Sequence, residues 1–134
     1  MKMKTMKAPN IEKLAKETER WPKSWAGFDS DVPVGQQIVK AMYPFLSALM
    51  KDGYSKTTIN RHVNNLWLLG GEIIRCLNTD TELKVLSGEE LILRFVDEEG
   101  GPYSRHIDTE KEQKVFDSTC RKLYRFLSKQ PDRK

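Results

Sequence analysis

The side chains best suited to chemistry in this sequence are two cysteines and two histidines, and they are scattered along the chain. No two of them have the spacing of a zinc-ligand pair, and Cys76 and Cys120 form no CxxC motif; the histidines are His62 and His106. Two isolated thiols also exclude a disulfide framework and suit a reducing cytoplasm. The sequence therefore predicts no metal site, no cofactor and a cytoplasmic location.

Carboxylates are concentrated between 79 and 108, but they lie where a helix would begin or end. Glu89 and Glu90 fall in a predicted first turn, where they complement the helix dipole, and 97–99 follow the end of the same helix. The chain has no serine or cysteine nucleophile motif and no glycine-rich loop that would cradle a phosphate. We therefore expect neither an enzyme nor a small-molecule substrate.

The net charge of +4 on 134 residues conceals an uneven distribution. Over 79–108, eight acidic residues outweigh three basic ones and give −5, whereas 55–78 carries +2 and 109–134 carries +4. A domain divided in this way can present a basic face to an anionic partner. The sequence also has no apolar run of the length that a membrane helix needs, so a membrane partner is not expected.

The spacing of apolar residues is helical over most of the chain, which predicts an all-α fold, a small orthogonal bundle of about five helices. The predicted helices cover 11 to about 20, 36 to 51, 56 to about 77, a short stretch after Ser87 that Gly100 ends, and 110 to about 129. In this scheme 1–35 comprises a tail, the short helix and an aromatic loop, 36–130 is the helical domain, and 131–134 is a C-terminal tail.

Three aromatic residues lie close together in the segment 21–28: Trp21, Trp25 and Phe28. The segment contains Pro22 and poor helix formers, so the sequence predicts a loop there. One interpretation is that the aromatic side chains pin this loop onto the core. The other is that they form a partner-binding patch, to which Leu68 would contribute.

Two of the predicted helices have polar, basic outer faces. Their side chains are the types that hydrogen-bond base edges and phosphates in DNA complexes. We identify these candidate DNA-binding residues: Lys56, Thr57, Asn60, Arg61, Asn64, Lys111, Lys114, Arg121, Lys122 and Arg125.

The turn between the second and third predicted helices carries a recognisable motif. Gly53, Tyr54, Ser55, Thr58 and Ile59 match the Gly-hydrophobic-Ser-x-x-Thr-aliphatic pattern with which a helix typically opens in the N-terminal core-binding domain of tyrosine recombinases. Over about 36–129 the chain resembles this domain of the phage integrase family, with 86–95 similar to its short third helix and 116–127 to its last.

This resemblance implies a SAM-like bundle whose second and last helices face double-stranded DNA. The family's catalytic Arg, His-x-x-Arg and nucleophilic Tyr belong to a separate domain, and neither 62–65 nor 106–109 supplies His-x-x-Arg. We therefore expect a noncatalytic DNA-binding module associated with DNA recombination, integration or mobile-element DNA, with a recombinase or another protein left open as a partner. The alternative is a helical protein-protein interaction domain that uses the 21–28 aromatic segment.

Overall fold

The computed structural model describes residues 11–104 and 106–129, and this part of the chain is all-α. The helices are α1 (Ile11–Glu19), α2 (Trp21–Trp25), α3 (Asp31–Lys51), α4 (Lys56–Leu77), the 3₁₀ helix Thr81–Val85, α5 (Gly88–Phe95) and α6 (Glu110–Ser128). The prediction of a small all-α bundle is confirmed, and the short α2 and the 3₁₀ helix are the elements that were not expected. No helix in the described residues is long and apolar enough to cross a membrane.

Helix α3 is the centre of the bundle and contacts each of the other five α-helices. Its apolar residues at helical spacing, including Ile38, Met42 and Leu46, are fully buried. The side chains of Leu14 from α1 and Trp21 from α2 belong to the same core cluster. The segment before residue 36 thus packs on the rest of the bundle through α3.

The start of α3 corrects the predicted boundary at residue 36. The helix begins at Asp31, and Pro33 lies in its first turn, where a missing N–H costs nothing because the first backbone N–H groups of a helix have no intrahelical acceptor. The buried Asp31 carboxylate accepts hydrogen bonds from the backbone N–H groups of Gly27 and Phe28, at 2.9 and 3.1 Å. These bonds fold the preceding turn back onto the helix.

The prediction of a loop over 21–28 is wrong for its first five residues, which form α2. Pro22 falls in the first turn of this helix, the one place where proline is favoured. Trp21 is buried and Trp25 is half-buried against the core, whereas Phe28 is 64% exposed. Two of the three aromatics therefore pin the segment to the core, and the third does not.

Hydrogen bonds to the backbone define where the remaining helices begin. Ser55, Ser87 and Thr109 each accept a hydrogen bond from the backbone N–H three residues later, and Ser87 forms a full capping box with Glu90. Gly53, with φ of +82°, makes the turn from α3 into α4 in the left-handed region that favours glycine. The predicted span of α4 is confirmed at both ends.

Candidate nucleic-acid interface

Helices α4 and α6 are joined by a buried polar network. The Nδ1 atom of His62 lies 2.7 Å from the Thr119 hydroxyl, and the Asn65 amide donates to the same hydroxyl at 2.9 Å and to the Val115 carbonyl at 3.4 Å. All three side chains of the network are buried. His62 contacts Thr119, and Asn65, one turn further along α4, also reaches Val115, one turn earlier on α6. The two helices therefore pack antiparallel.

The network also bears on the charge of His62. Its Nδ1 atom and the Thr119 hydroxyl share one hydrogen bond, and the imidazole tautomer decides which of the two donates. Burial lowers the pKa of His62, and the positive charges of Lys122 and Arg61 lower it further. Both effects favour the neutral form of His62 within this interface.

The antiparallel packing brings the outer faces of α4 and α6 onto one surface. At one end of that surface, Arg61 and Lys122 both lie close enough to His62 to act on its pKa. At the other end, Leu68 and Lys111 line the same groove. We call the polar residues between and including these ends the α4–α6 strip: Arg61, Asn64, Lys111, Lys114 and Lys122.

The cations of the α4–α6 strip are available to an anionic ligand. Arg61, Lys111 and Lys114 are exposed, and no carboxylate among the described residues forms a salt bridge with them. Lys122 is half-buried, with its ammonium group 5.5 Å from the centre of the Tyr54 ring and 3.5 Å from the Tyr54 hydroxyl. From Lys111 to Lys122 the strip is roughly 16 Å long at 1.5 Å per helical residue.

Three of the predicted residues on α4 lie outside the strip. Lys56 and Thr57 are exposed in the first turn of α4. Asn60 is also exposed, but it precedes Trp67 by two helical turns and therefore lies on the flank of α4 that faces α2. The structure does not bring Asn60 together with the cations of α6.

Two predicted residues on α6 have acidic neighbours. Nε and Nη2 of Arg125 both donate to Oε1 of Glu98, at 3.1 and 3.0 Å. Nη1 of Arg121 lies 3.4 Å from the backbone carbonyl oxygen of Glu99. Arg121 and Arg125 thus already have partners in the residues that follow α5, whereas Lys111 and Lys114 form no salt bridge within the described part of the chain.

On the other flank of α4, two tryptophans form a reciprocal contact. The indole N–H of Trp25 donates to the Trp67 carbonyl and that of Trp67 donates to the Ser24 hydroxyl, both at 3.0 Å. The Trp25 ring lies directly over Gly70 and Gly71, where the absence of a side chain leaves room for an indole ring. Trp67 itself is 39% exposed.

Neither thiol is activated in this fold. Burial raises the pKa of both Cys76 and Cys120, and Cys120 is completely enclosed. In the described part of the chain no group of three or more histidine, cysteine or acidic side chains could hold a metal ion. The arrangement that the described residues do present is a basic surface on α4 and α6.

Sequence reasoning missed His62 and Asn65, which set the geometry of the strip. Both flank the apolar face of α4, one position before Val63 and Leu66 respectively, so the buried arc of the helix is wider on the α6 side than its apolar residues indicate. Their position at the edge of the apolar face of α4 is the sequence signal that could have indicated that they are buried. Their partner on α6, Thr119, is fully buried.

Comparison with known proteins returns no protein family, no curated protein and no solved structure that matches the chain. The resemblance to the core-binding domain of tyrosine recombinases accordingly stays a prediction.

Proposed function

We propose that this protein is a noncatalytic module that binds double-stranded DNA through the α4–α6 strip. The observation that carries the proposal is the convergence of Arg61 from α4 with Lys111 and Lys122 from α6, to which the exposed Lys114, three residues after Lys111, adds a further cation. Cations without acidic partners are the groups that exchange counterions for phosphates.

The size of the strip supports a duplex as the ligand. A length of roughly 16 Å corresponds to about five base pairs at 3.4 Å each, which is enough for several phosphate contacts along one strand. Asn64 lies among the cations and offers an amide, a side-chain type that pairs with base edges. The lysines would position the duplex through its phosphates, and Asn64 would discriminate between bases by hydrogen bonds to their edges.

The resemblance of 36–129 to integrase core-binding domains gives this module its proposed context. In that context the chain acts on recombination or mobile-element DNA, and a recombinase or another protein performs any strand cleavage. The network of His62, Asn65 and Thr119 supports this role because it holds the two DNA-facing helices in fixed relation before any ligand arrives.

The test is a titration of a 20-base-pair duplex, followed by fluorescence anisotropy at several salt concentrations. We expect log K to fall linearly with log salt, and each of Arg61→Ala, Lys111→Ala and Lys114→Ala to reduce the slope by about 0.9. The matched control is Lys84→Ala, an exposed lysine on the 3₁₀ helix, which should leave the slope unchanged. Undiminished affinity at high salt, or absence of binding at low salt, would refute the proposal.

A second candidate function is protein-protein interaction through the surface near the aromatic segment, which the exposure of Phe28 favours. Trp21 and Trp25 are committed to the fold, so Phe28 and the exposed part of Trp67 are what remains for a partner. Amide NMR shifts caused by duplex DNA at 61–68 and 111–122 would support DNA binding. If duplex causes no shifts and Phe28→Ser abolishes capture of a partner without unfolding the domain, the interaction function is favoured instead.

A further inference from the structure

The segment that follows α5 forms an acidic turn, Asp97–Gly100, against the edge of α6 that lies away from α4. Asp97 and Gly100 exchange two backbone hydrogen bonds, of 2.9 and 3.1 Å, and the Asp97 carboxylate accepts the backbone N–H of Glu99 at 2.8 Å. The side chains of Glu98 and Glu99 take no part in these bonds. The turn therefore closes on itself and leaves two carboxylates for other uses.

Two glycines hold this turn close to α6. Gly100 has a φ of +134°, and a Cβ atom there would collide with the Asp117 side chain; one at Gly101 would collide with the Cys120 sulfur. The backbone N–H of Gly101 donates to the Asp117 carboxylate at 3.0 Å. Gln113 donates to the same carboxylate oxygen of Asp117, at 2.9 Å. The position of the acidic turn on α6 is thus set by backbone contacts that do not involve Glu98.

A phosphate that contacted Arg125 would have to replace the Glu98 carboxylate. One carboxylate oxygen receives two guanidinium N–H groups, and phosphate oxygens are bound by arginine in the same charge-assisted manner. The side chains of Arg125 and Glu98 are 53% and 58% exposed, so a phosphate can reach the guanidinium but has to compete with the carboxylate for it.

We propose that the acidic turn is an autoinhibitory element that competes with DNA phosphates for Arg125 and so restricts the footprint of DNA to the α4–α6 strip. This inference rests on the proposed DNA-binding function and adds a regulation to it. Removal of the Glu98 charge frees one guanidinium on the outer edge of α6 and widens the basic surface from the strip to that edge.

The experiment compares wild type, Glu98→Gln and Glu99→Gln in the duplex titration at several salt concentrations. Glu99→Gln is the matched control because it removes one charge from the same turn, while only the backbone carbonyl of Glu99 contacts an arginine. With one additional phosphate contact, Glu98→Gln should steepen the salt slope by about 0.9 and bind roughly eightfold more tightly at 0.1 M salt. Glu99→Gln should change affinity less and leave the slope as in wild type, and Arg125→Ala combined with Glu98→Gln should abolish the gain.

Each outcome is decisive. Equal effects of Glu98→Gln and Glu99→Gln, or no effect of either on a wild-type protein that does bind, overturn the autoinhibition and leave the DNA-binding function standing. If Glu98→Gln binds duplex and neither wild type nor Glu99→Gln does, the result supports complete autoinhibition. Absence of binding in every variant overturns the proposed function and the autoinhibition with it. Circular dichroism of each variant verifies the fold, which the bonds within the turn predict to be unchanged.

Discussion

Trp25 donates its indole N–H to the backbone carbonyl of Trp67, 42 positions further along the chain, across 3.0 Å. The indole of Trp67 returns a bond to the residue before Trp25, so that α2 and α4 are tied together in both directions. The contact depends on the glycine pair at Gly70 and Gly71, because the six-membered ring of Trp25 covers the helix where Gly70 has no side chain. One face of α4, which carries Trp67, Gly70 and Gly71, therefore determines where α2 packs on the bundle.

The first prediction concerns Gly70→Ala. Alanine would favour the helix by about 1 kcal/mol, but its methyl group would penetrate the Trp25 ring, and such overpacking costs about 1–3 kcal/mol. We expect a net loss of up to about 2 kcal/mol in the free energy of unfolding, measured by urea denaturation with circular dichroism detection.

Gly71→Ala is the matched control for this substitution. A Cβ atom at Gly71 would lie 3.3 Å from the nearest Trp25 carbon, so little has to move and the helix propensity of alanine decides the sign. Stability should stay the same or rise by up to about 1 kcal/mol. If both glycines respond alike, the indole contact is not what requires Gly70.

The second prediction concerns Thr119→Val, which keeps the shape of the side chain and removes its hydroxyl. His62 would lose its hydrogen-bond partner, and the Asn65 amide would keep only the 3.4 Å contact to the Val115 carbonyl. Each buried group left without a partner costs about 1–3 kcal/mol, so a loss of about 2–4 kcal/mol is expected in urea denaturation. Thr119→Ser retains the hydroxyl and should cost only about 1 kcal/mol for the missing methyl group; equal losses for the two variants would contradict the network.

The third prediction is a dependence of stability on pH that originates at His62. Burial, Lys122 and Arg61 lower the pKa of this histidine in the folded state, whereas in the unfolded chain it titrates near about 6.5. Below that pH the unfolded state binds more protons than the folded state. The contribution of His62 to the free energy of unfolding is therefore fully present above pH about 6.5 and decreases as the pH falls from there. Urea denaturation between about pH 7.5 and 5.5 measures the effect in the window above most carboxylate titrations.

The variant that isolates the contribution of His62 is His62→Gln. It should have a lower stability at pH 7.5 and a flatter dependence on pH than wild type. His106→Asn is the comparison, since His106 is an exposed histidine in the loop before α6, and its pH dependence should follow that of wild type. An unchanged dependence in His62→Gln would disprove the assignment.

The fourth prediction concerns the two thiols. Cys120 is fully buried and Cys76 is half-buried, and burial raises the pKa of each. In native protein at pH 8, a disulfide reagent should modify Cys76 slowly and Cys120 at least about 100-fold more slowly than a free thiol, since thiolate and access are both required. Both should react at once in 6 M guanidinium, as about two thiols per chain. Rapid modification of native Cys76→Ser protein would contradict the burial of Cys120.

Local patterns predicted the helices with the clearest end signals. The motif at Gly53 and Ser55 and the cap at Thr109 specify backbone hydrogen bonds within three residues, so the sequence alone was sufficient for the start of α4 and of α6. The start of α3 at Asp31 depends on a carboxylate that reaches back to Gly27 and Phe28, and residue spacing does not report such a contact.

The surface was predicted less completely than the helices. Composition identified the basic side chains, but which of them meet depends on the antiparallel packing through His62 and Asn65, two polar residues that a hydrophobic pattern assigns to the outside. The pairing of Arg125 with Glu98 is a contact across 27 positions, which helical periodicity cannot report. The sequence therefore predicted two basic faces, and the fold joins part of each into one strip.

The central place of α3 has a consequence for how the chain folds. Since α3 supplies the surface on which every other α-helix is buried, the helices before it and after it share one apolar interior and have no separate cores. Unfolding should then be a single cooperative transition, with tryptophan fluorescence and circular dichroism changing together. A chain cut at the turn 52–55 would yield two fragments that each expose half of that interior and regain helical order only when they are mixed.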